Sequence, residues 1–146
     1  MAYINKIETA LPPYAFNQMD IYKYMVEAYN IEPSMQGKIE AMYAKCGISQ
    51  RHSAVPDFNI NNAKTLFATH NPLVQDRMQV YYNTAFNIGK EAFNKLLVDK
   101  NEITHLITVS CTGMCAPGLD VLLMQEMDLP ANCVRTSVNF MGCYAL

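Results

Sequence analysis

The run "ITHLITVS", Ile103 to Ser110, follows almost directly on the longest periodic segment of the chain, and this order constrains the fold more than any other feature. Between Leu73 and Val98, the residues Met78, Tyr82, Ala85, Gly89, Phe93 and Leu96 fall on one stripe. A helix packed against a sheet requires such a stripe. Lys100 and Asn101 end it. The β-branched, largely apolar run behind it is expected to be a buried parallel strand. Pro117 suits the first turn of another helix, in which Leu119, Leu122, Leu123 and Met127 are apolar. Pro130 ends that helix, and Cys133 to Phe140 reads as a second buried strand. Helix, strand, helix and strand in this order give an α/β fold with at least two parallel strands.

The first half is less regular. Ala2 to Thr9 reads as an edge strand that Pro12 and Pro13 end. Asn17, with Asp20 behind it, caps a helix that runs to about Tyr29 with Ile21, Met25 and Ala28 on one face. Ser34 is expected to open a second helix lined on one side by Met35, Ile39, Met42 and Tyr43. Gly47 fits the left-handed position that ends helices. Ile48 to Val55 is expected to be extended, and Pro56 to Pro72 to be mostly loop.

A chain of 146 residues is about one domain's worth, and its 51% hydrophobic content is enough for a core. The sequence shows no internal repeat or boundary, so residues 1–146 read as one domain. A net charge of −2 argues against a nucleic-acid binder. No stretch approaches the roughly 18 consecutive apolar residues of a membrane helix. The N-terminus lacks the charged and apolar regions of a secretory signal. The five cysteines therefore read as reduced thiols of a cytoplasmic protein.

The chemistry centres on "NFMGCYAL", where Cys143 stands just after the second strand and behind Gly142. A strand turning sharply into a helix exposes the residue at the turn. Unpaired N–H groups at the helix start stabilise a thiolate there and can hold an acyl-transfer oxyanion. Cys143 is thus a candidate acyl-accepting nucleophile, and an inert core cysteine is the other reading. Cys111 and Cys115, spaced C-x3-C near His105, are one loose pair where a zinc site wants two. His52, His70 and His105 are isolated. Lys38 and Lys45 lie seven apart on one helical face, which suits either a bound phosphate or a solvated lysine face.

These residues resemble a family. "EITHLITVSCTGMCAPGLDVLLMQEMDL" and "NCVRTSVNFMGCYA" are similar to the catalytic segment of type III polyketide synthases, the chalcone and stilbene synthase family. Thr104 to Asp120 matches the family's strand, loop and helix, and Met141 to Ala145 matches its cysteine elbow. "GISQRHSAVPDF" and "QDRMQVYYNTAFNIGKEAFNKLL" also resemble it, closer to bacterial members than to plant ones.

The resemblance implies the N-terminal half of a thiolase-like α/β fold, ending just after the nucleophile elbow. It implies a homodimer with no metal or bound cofactor, using acyl-CoA and malonyl-CoA as substrates. Cys143 matches the acylated cysteine. Lys38 and Lys45 match residues that hold coenzyme A phosphates, with Ala41 where a third basic residue is usual. Cys111 and Thr112 match a pocket-lining Thr-Ser pair, and Ala116 matches a methionine that enters the partner's cavity in plant members. The family's catalytic histidine and asparagine belong to its second half, and none of His52, His70 and His105 matches that histidine. The 146 residues alone are therefore expected to lack condensing activity. With the sheet face at Val134, Thr136 and Val138 uncovered, they are also expected to self-associate. A ketoacyl-carrier-protein synthase III, a hydroxymethylglutaryl-CoA synthase and a non-catalytic dimerisation fragment are the competing readings.

Overall fold

A computed structural model describes residues 3–59, 61, 63–68 and 71–139. Contacts divide the chain into two compact units, Leu11–Asp76 and the combination of Met1–Ala10 with Arg77–Leu146.

The contiguous unit begins with β1, Tyr14–Asn17, which pairs antiparallel with β2, Gln50–Ser53. The strand expected at Ala2 to Thr9 is not formed among residues 3–9; the first strand follows Pro12 and Pro13 instead. Strand pairing needs a partner edge, and β2 supplies it only to Tyr14–Asn17 in the register Tyr14↔Ser53 to Asn17↔Gln50. Asn17 then caps α1, Gln18–Ala28, its Oδ1 accepting from the Met19 amide at 2.9 Å. Helix α2, Pro33–Lys45, starts one residue earlier than Ser34 would set it, because Pro33 occupies the first helical position with its φ already suited to it. Gly47 has φ +74° and ends α2 as expected.

The core of this unit is Phe16, Ile21, Tyr24 and Val55. Phe58 sits among Phe16, Tyr24 and Phe67 with ring centroids 5.4 to 6.1 Å apart. On α2, Ile39 and Tyr43 are half-buried, whereas Met35 and Met42 are exposed. Gln18 ties three elements together. Its amide N–H donates to the Ser49 carbonyl, its Nε2 lies 3.2 Å from Cys46 Sγ, and its Oε1 accepts from Arg51 Nε at 2.8 Å. Within the loop expected at 56–72, the Asp57 carboxylate is fully buried. It accepts from the Thr65 amide (2.9 Å), the Thr65 hydroxyl (2.6 Å) and the Phe67 amide (2.6 Å).

The discontinuous unit takes in α3, Val74–Leu96, from Arg77 onward; it is the long helix that the stripe predicted, though none of its residues is fully buried. Residues 3–10 run beside its end without forming a strand. Lys6 Nζ donates to the carbonyls of Lys95 (3.1 Å) and Leu96 (2.8 Å), and Lys95 Nζ donates to the Thr9 carbonyl at 3.0 Å. A cation at a helix C-terminus satisfies orphan carbonyls and offsets the negative end of the dipole. Strands β3, His105–Val109, and β4, Val134–Val138, pair in parallel. Helix α4, Leu119–Glu126, packs on both, with Leu123 buried and set against Gly89 of α3. Pro117 stands before α4 rather than in its first turn, because Gly118 takes the cap and its carbonyl receives the Val121 and Leu122 amides.

The strands are parallel but not buried on both faces. Leu106, Thr108 and Arg135 share the face toward α4, where Arg135 Nη1 meets Asp120 Oδ2 at 3.0 Å. The opposite face carries Ile107, Val109 and Val134, which are 63%, 42% and 51% exposed. Burial on two faces needs a layer on each, and among the described residues one layer is present. An apolar face of this kind promotes association. Light scattering on the 146-residue chain is expected to give a mass above 16.5 kDa that rises with concentration and falls back in Val134→Lys. A monomer at every concentration would contradict this.

Among the described residues, no helix is long and apolar enough to cross a membrane.

Candidate active site

Two parallel strands end at the same edge, and loops leaving that edge form the usual ligand crevice of α/β sheets. Here the last register pair is Val109↔Val138. The Ser110 amide continues the ladder by donating to the Val138 carbonyl at 3.0 Å. A chain of polar groups crosses the same edge. Thr108 Oγ1 donates to Ser137 Oγ at 3.2 Å, and Asn139 Nδ2 donates to that same oxygen at 3.1 Å.

The loop 111–118 leaves this edge from β3. Ser110 Oγ donates to the Thr112 carbonyl at 2.6 Å and folds the loop back at once. Gly113 has φ +88°, a region that L side chains rarely adopt. Its open side lies on the Tyr81 ring of α3, so close that a Cβ there would overlap three ring carbons. The Ala116–Pro117 peptide is cis. Cys111, Thr112 and Ala116, the expected pocket residues, are all exposed on this loop, and Cys115 is half-buried. The structure thus brings Cys111, Thr112 and Ala116 to the edge where β4 ends. Cys143 itself, four residues beyond Asn139, lies outside the described residues, as does His70.

Lys38 and Lys45 stand two turns apart on α2 in the other unit, both exposed, with Ala41 exposed between them. Neither ammonium group has an ion-pair partner among the described residues. A cavity of about 430 Å³ runs beside α2, lined by Ile21, Met25, Met42, Tyr43 and Phe58 with Gln18 and Arg51, but neither lysine lines it. His52 Nδ1 is 3.1 Å from the Pro12 carbonyl, and His105 Nδ1 is 2.9 Å from Thr104 Oγ1, so each is engaged locally. Among the described residues, no three His, Cys, Asp or Glu groups converge on a metal site.

Three features of the loop escaped the sequence reading: the Ser110 hydroxyl, the Tyr81 platform and the Asp120–Arg135 pair that fixes the start of α4. A glycine four residues after a strand could have signalled the tight turn, though not the ring beneath it.

Residues 1–146 match the sequence model of "Chalcone and stilbene synthases, N-terminal domain". The chain belongs to that family. Among curated relatives, the alpha-pyrone synthesis polyketide synthase-like Pks18 of Mycobacterium tuberculosis is 30% identical over 149 residues, covering 99% of this chain and 37% of that protein. Polyketide synthase 37 of Dictyostelium discoideum is also 30% identical, over 97% of this chain. Among solved structures, polyketide synthase PKS-I of the brown alga Ectocarpus siliculosus superposes with a TM-score of 0.77 at 25% identity, covering 94% of this chain and 39% of that one. The type III domain of the Dictyostelium hybrid Steely1 gives 0.78 at 21% identity. The fold is therefore the thiolase-like α/β fold of type III polyketide synthases. The chain spans less than two-fifths of the length of Pks18 and of the algal synthase.

Proposed function

We propose that this chalcone and stilbene synthase domain carries the acyl-accepting cysteine of a type III polyketide synthase, and that the cysteine is Cys143. The observation that carries the reading is the shared edge. The loop holding Cys111, Thr112 and Ala116 and the chain running on from β4 toward Cys143 leave the same end of a parallel strand pair. In the proposed reaction, the Cys143 thiolate attacks the thioester carbon of a starter acyl-CoA. The C–S bond to coenzyme A breaks, and the acyl group rests on Sγ. Malonyl-CoA then loses carbon dioxide, and its carbanion attacks the acyl-cysteine, forming a carbon–carbon bond and releasing the thiolate. Covalent catalysis divides one difficult condensation into easier steps. The histidine and asparagine that polarise the thioester in this family belong to its second half. The protein is proposed to work as a cytoplasmic homodimer without a metal or bound cofactor, its thiols reduced.

The test is acylation of the natural full-length protein, whatever its length, by a starter acyl-CoA, followed by digestion and peptide mass measurement. The adduct is expected on the peptide holding Cys143. An adduct on Cys111 or Cys115 and none on Cys143 would overturn the assignment. An acyl adduct formed without condensation of malonyl-CoA would instead favour another thiolase-fold enzyme.

The exposed, unpaired ammonium groups of Lys38 and Lys45 are proposed to meet coenzyme A phosphates as point charges. Lys38→Ala and Lys45→Ala are each expected to raise KM for acyl-CoA roughly two- to fivefold with little change in kcat, as exposed charge pairs do. The effect should be larger at low salt, where screening is weaker. Unchanged kinetics in both variants would return the lysines to a solvated helix face.

A further inference from the structure

We infer that Tyr81 is a positioning residue for the substrate pocket, a platform that sets where the loop 111–116 stands at the end of β3 and β4. The inference rests on the reading under Proposed function, in which that loop lines the pocket, and adds the residue that holds it.

The loop is fastened at both ends by polar contacts. At its start, Ser110 bonds the β4 backbone and the Thr112 carbonyl. At its far end, Asp120 next to Gly118 pairs with Arg135 of β4. Between these anchors, Gly113 turns the backbone at φ +88° and lays its open side on the Tyr81 ring. Two requirements coincide at Gly113. The backbone angle calls for glycine, and so does the ring beneath it. A loop turned only by its own backbone would need the first and not the second. Tyr81 is the eighth residue of α3, a helix of 23 residues, so the platform comes from an element other than the two strands. No hydrogen bond involves the Tyr81 hydroxyl among the described residues, so the ring supplies the support and phenylalanine should replace it. Removing the ring leaves a void under Gly113 into which the loop can sink, and Thr112 and Ala116 move with it.

The test has a structural arm and a functional arm. In the structural arm, the chain is treated with iodoacetamide and the alkylation rate of each cysteine is followed by mass. Cys115, half-buried in the loop, should react severalfold faster in Tyr81→Ala and at the native rate in Tyr81→Phe, with Cys46 of the other unit unchanged in both. Equal Cys115 rates in all three proteins overturn the inference. So does a rise at Cys46 parallel to that at Cys115 in both Tyr81→Ala and the milder Tyr81→Leu, because global loosening then explains the result. In the functional arm, the natural full-length protein is given acetyl-CoA and dodecanoyl-CoA. Tyr81→Ala should shift the ratio of kcat/KM toward the longer starter by about tenfold, on the scale of pocket discrimination between apolar groups, and Tyr81→Phe should not. A freed Cys115 with an unmoved ratio overturns the pocket role. Absence of any acyl adduct on Cys143 in the unsubstituted protein counts against the proposed function instead, and the alkylation arm still decides whether Tyr81 holds the loop.

Discussion

Cys143→Ala, made in the natural full-length protein, is expected to abolish acylation and to lower condensation by roughly four to six orders of magnitude, the usual consequence of removing a covalent nucleophile. The argument is chemical. Alanine offers no lone pair to the thioester carbon, so the starter has nowhere to rest and the two-step route closes. Cys143→Ser should recover little, because a hydroxyl is far less ionised near neutral pH than a thiol, and the ionised form is the nucleophile. Decarboxylation of malonyl-CoA makes and breaks no bond to Cys143, so it should survive in both variants and show that the site still binds. Condensation at the native rate in Cys143→Ala would require another nucleophile, and Cys111 on the exposed loop would be the first to examine.

The second large effect is on stability. Asp57→Ala is expected to destabilise the chain by about 2–4 kcal/mol, because it empties a fully buried position and leaves the part-buried amides of Thr65 and Phe67 without their acceptor at about 1–2 kcal/mol each. Asp57→Asn keeps the shape and one carbonyl acceptor, and should cost less. The same group predicts acid sensitivity. Burial alone would raise the Asp57 pKa, but the Thr65 hydroxyl and the amides of Phe67, Thr65 and Leu66 outweigh it and hold the carboxyl below its ordinary value of 3.8. As pH falls below that value, the unfolded chain takes up the proton first. The stabilisation by Asp57 is therefore present in full above the ordinary carboxylate range and lost as pH falls through the depressed folded value. Urea unfolding of the native chain and of Asp57→Asn at pH 7 and pH 3 checks this. The native chain should lose more stability on acidification than the variant, and equal losses would show that Asp57 is not the responsible group.

What could be read in the sequence was local. Asn17 announces a cap, Gly47 a left-handed turn, and the stripe from Met78 to Leu96 a helix, because each signal is carried by residues within a turn or two of one another. The two parallel strands were legible for a similar reason: β-branched runs alternate with helices. The failures involve partners distant in sequence. Residues 3–9 have a strand's composition, but β2 pairs with Tyr14–Asn17, and nothing near Thr9 says so. Asp57 organises a loop through Thr65 and Phe67, at a spacing that follows no local rule. Gly113 rests on a ring 32 residues earlier in the chain, so its glycine could be noticed but not explained. The proposed pocket role of the loop rests on family resemblance, and physical reading alone had left Cys111 as half of a loose pair.

The Lys6 ammonium bonds carbonyls 89 and 90 residues further along the chain. On a ribosome adding about 5–20 residues per second, those carbonyls are made roughly 4–18 s after Lys6 itself. Throughout that interval the first ten residues have no helix end to grip, and Ile4 and Ile7, exposed even in the finished structure, are free to meet other chains. Leu11–Asp76, by contrast, emerges as one uninterrupted stretch and contains both strands of its own sheet. It can close while the rest is still being made. The unit that carries the proposed pocket loop is thus the later of the two to assemble, because its first segment is made before the other unit and the rest of it after.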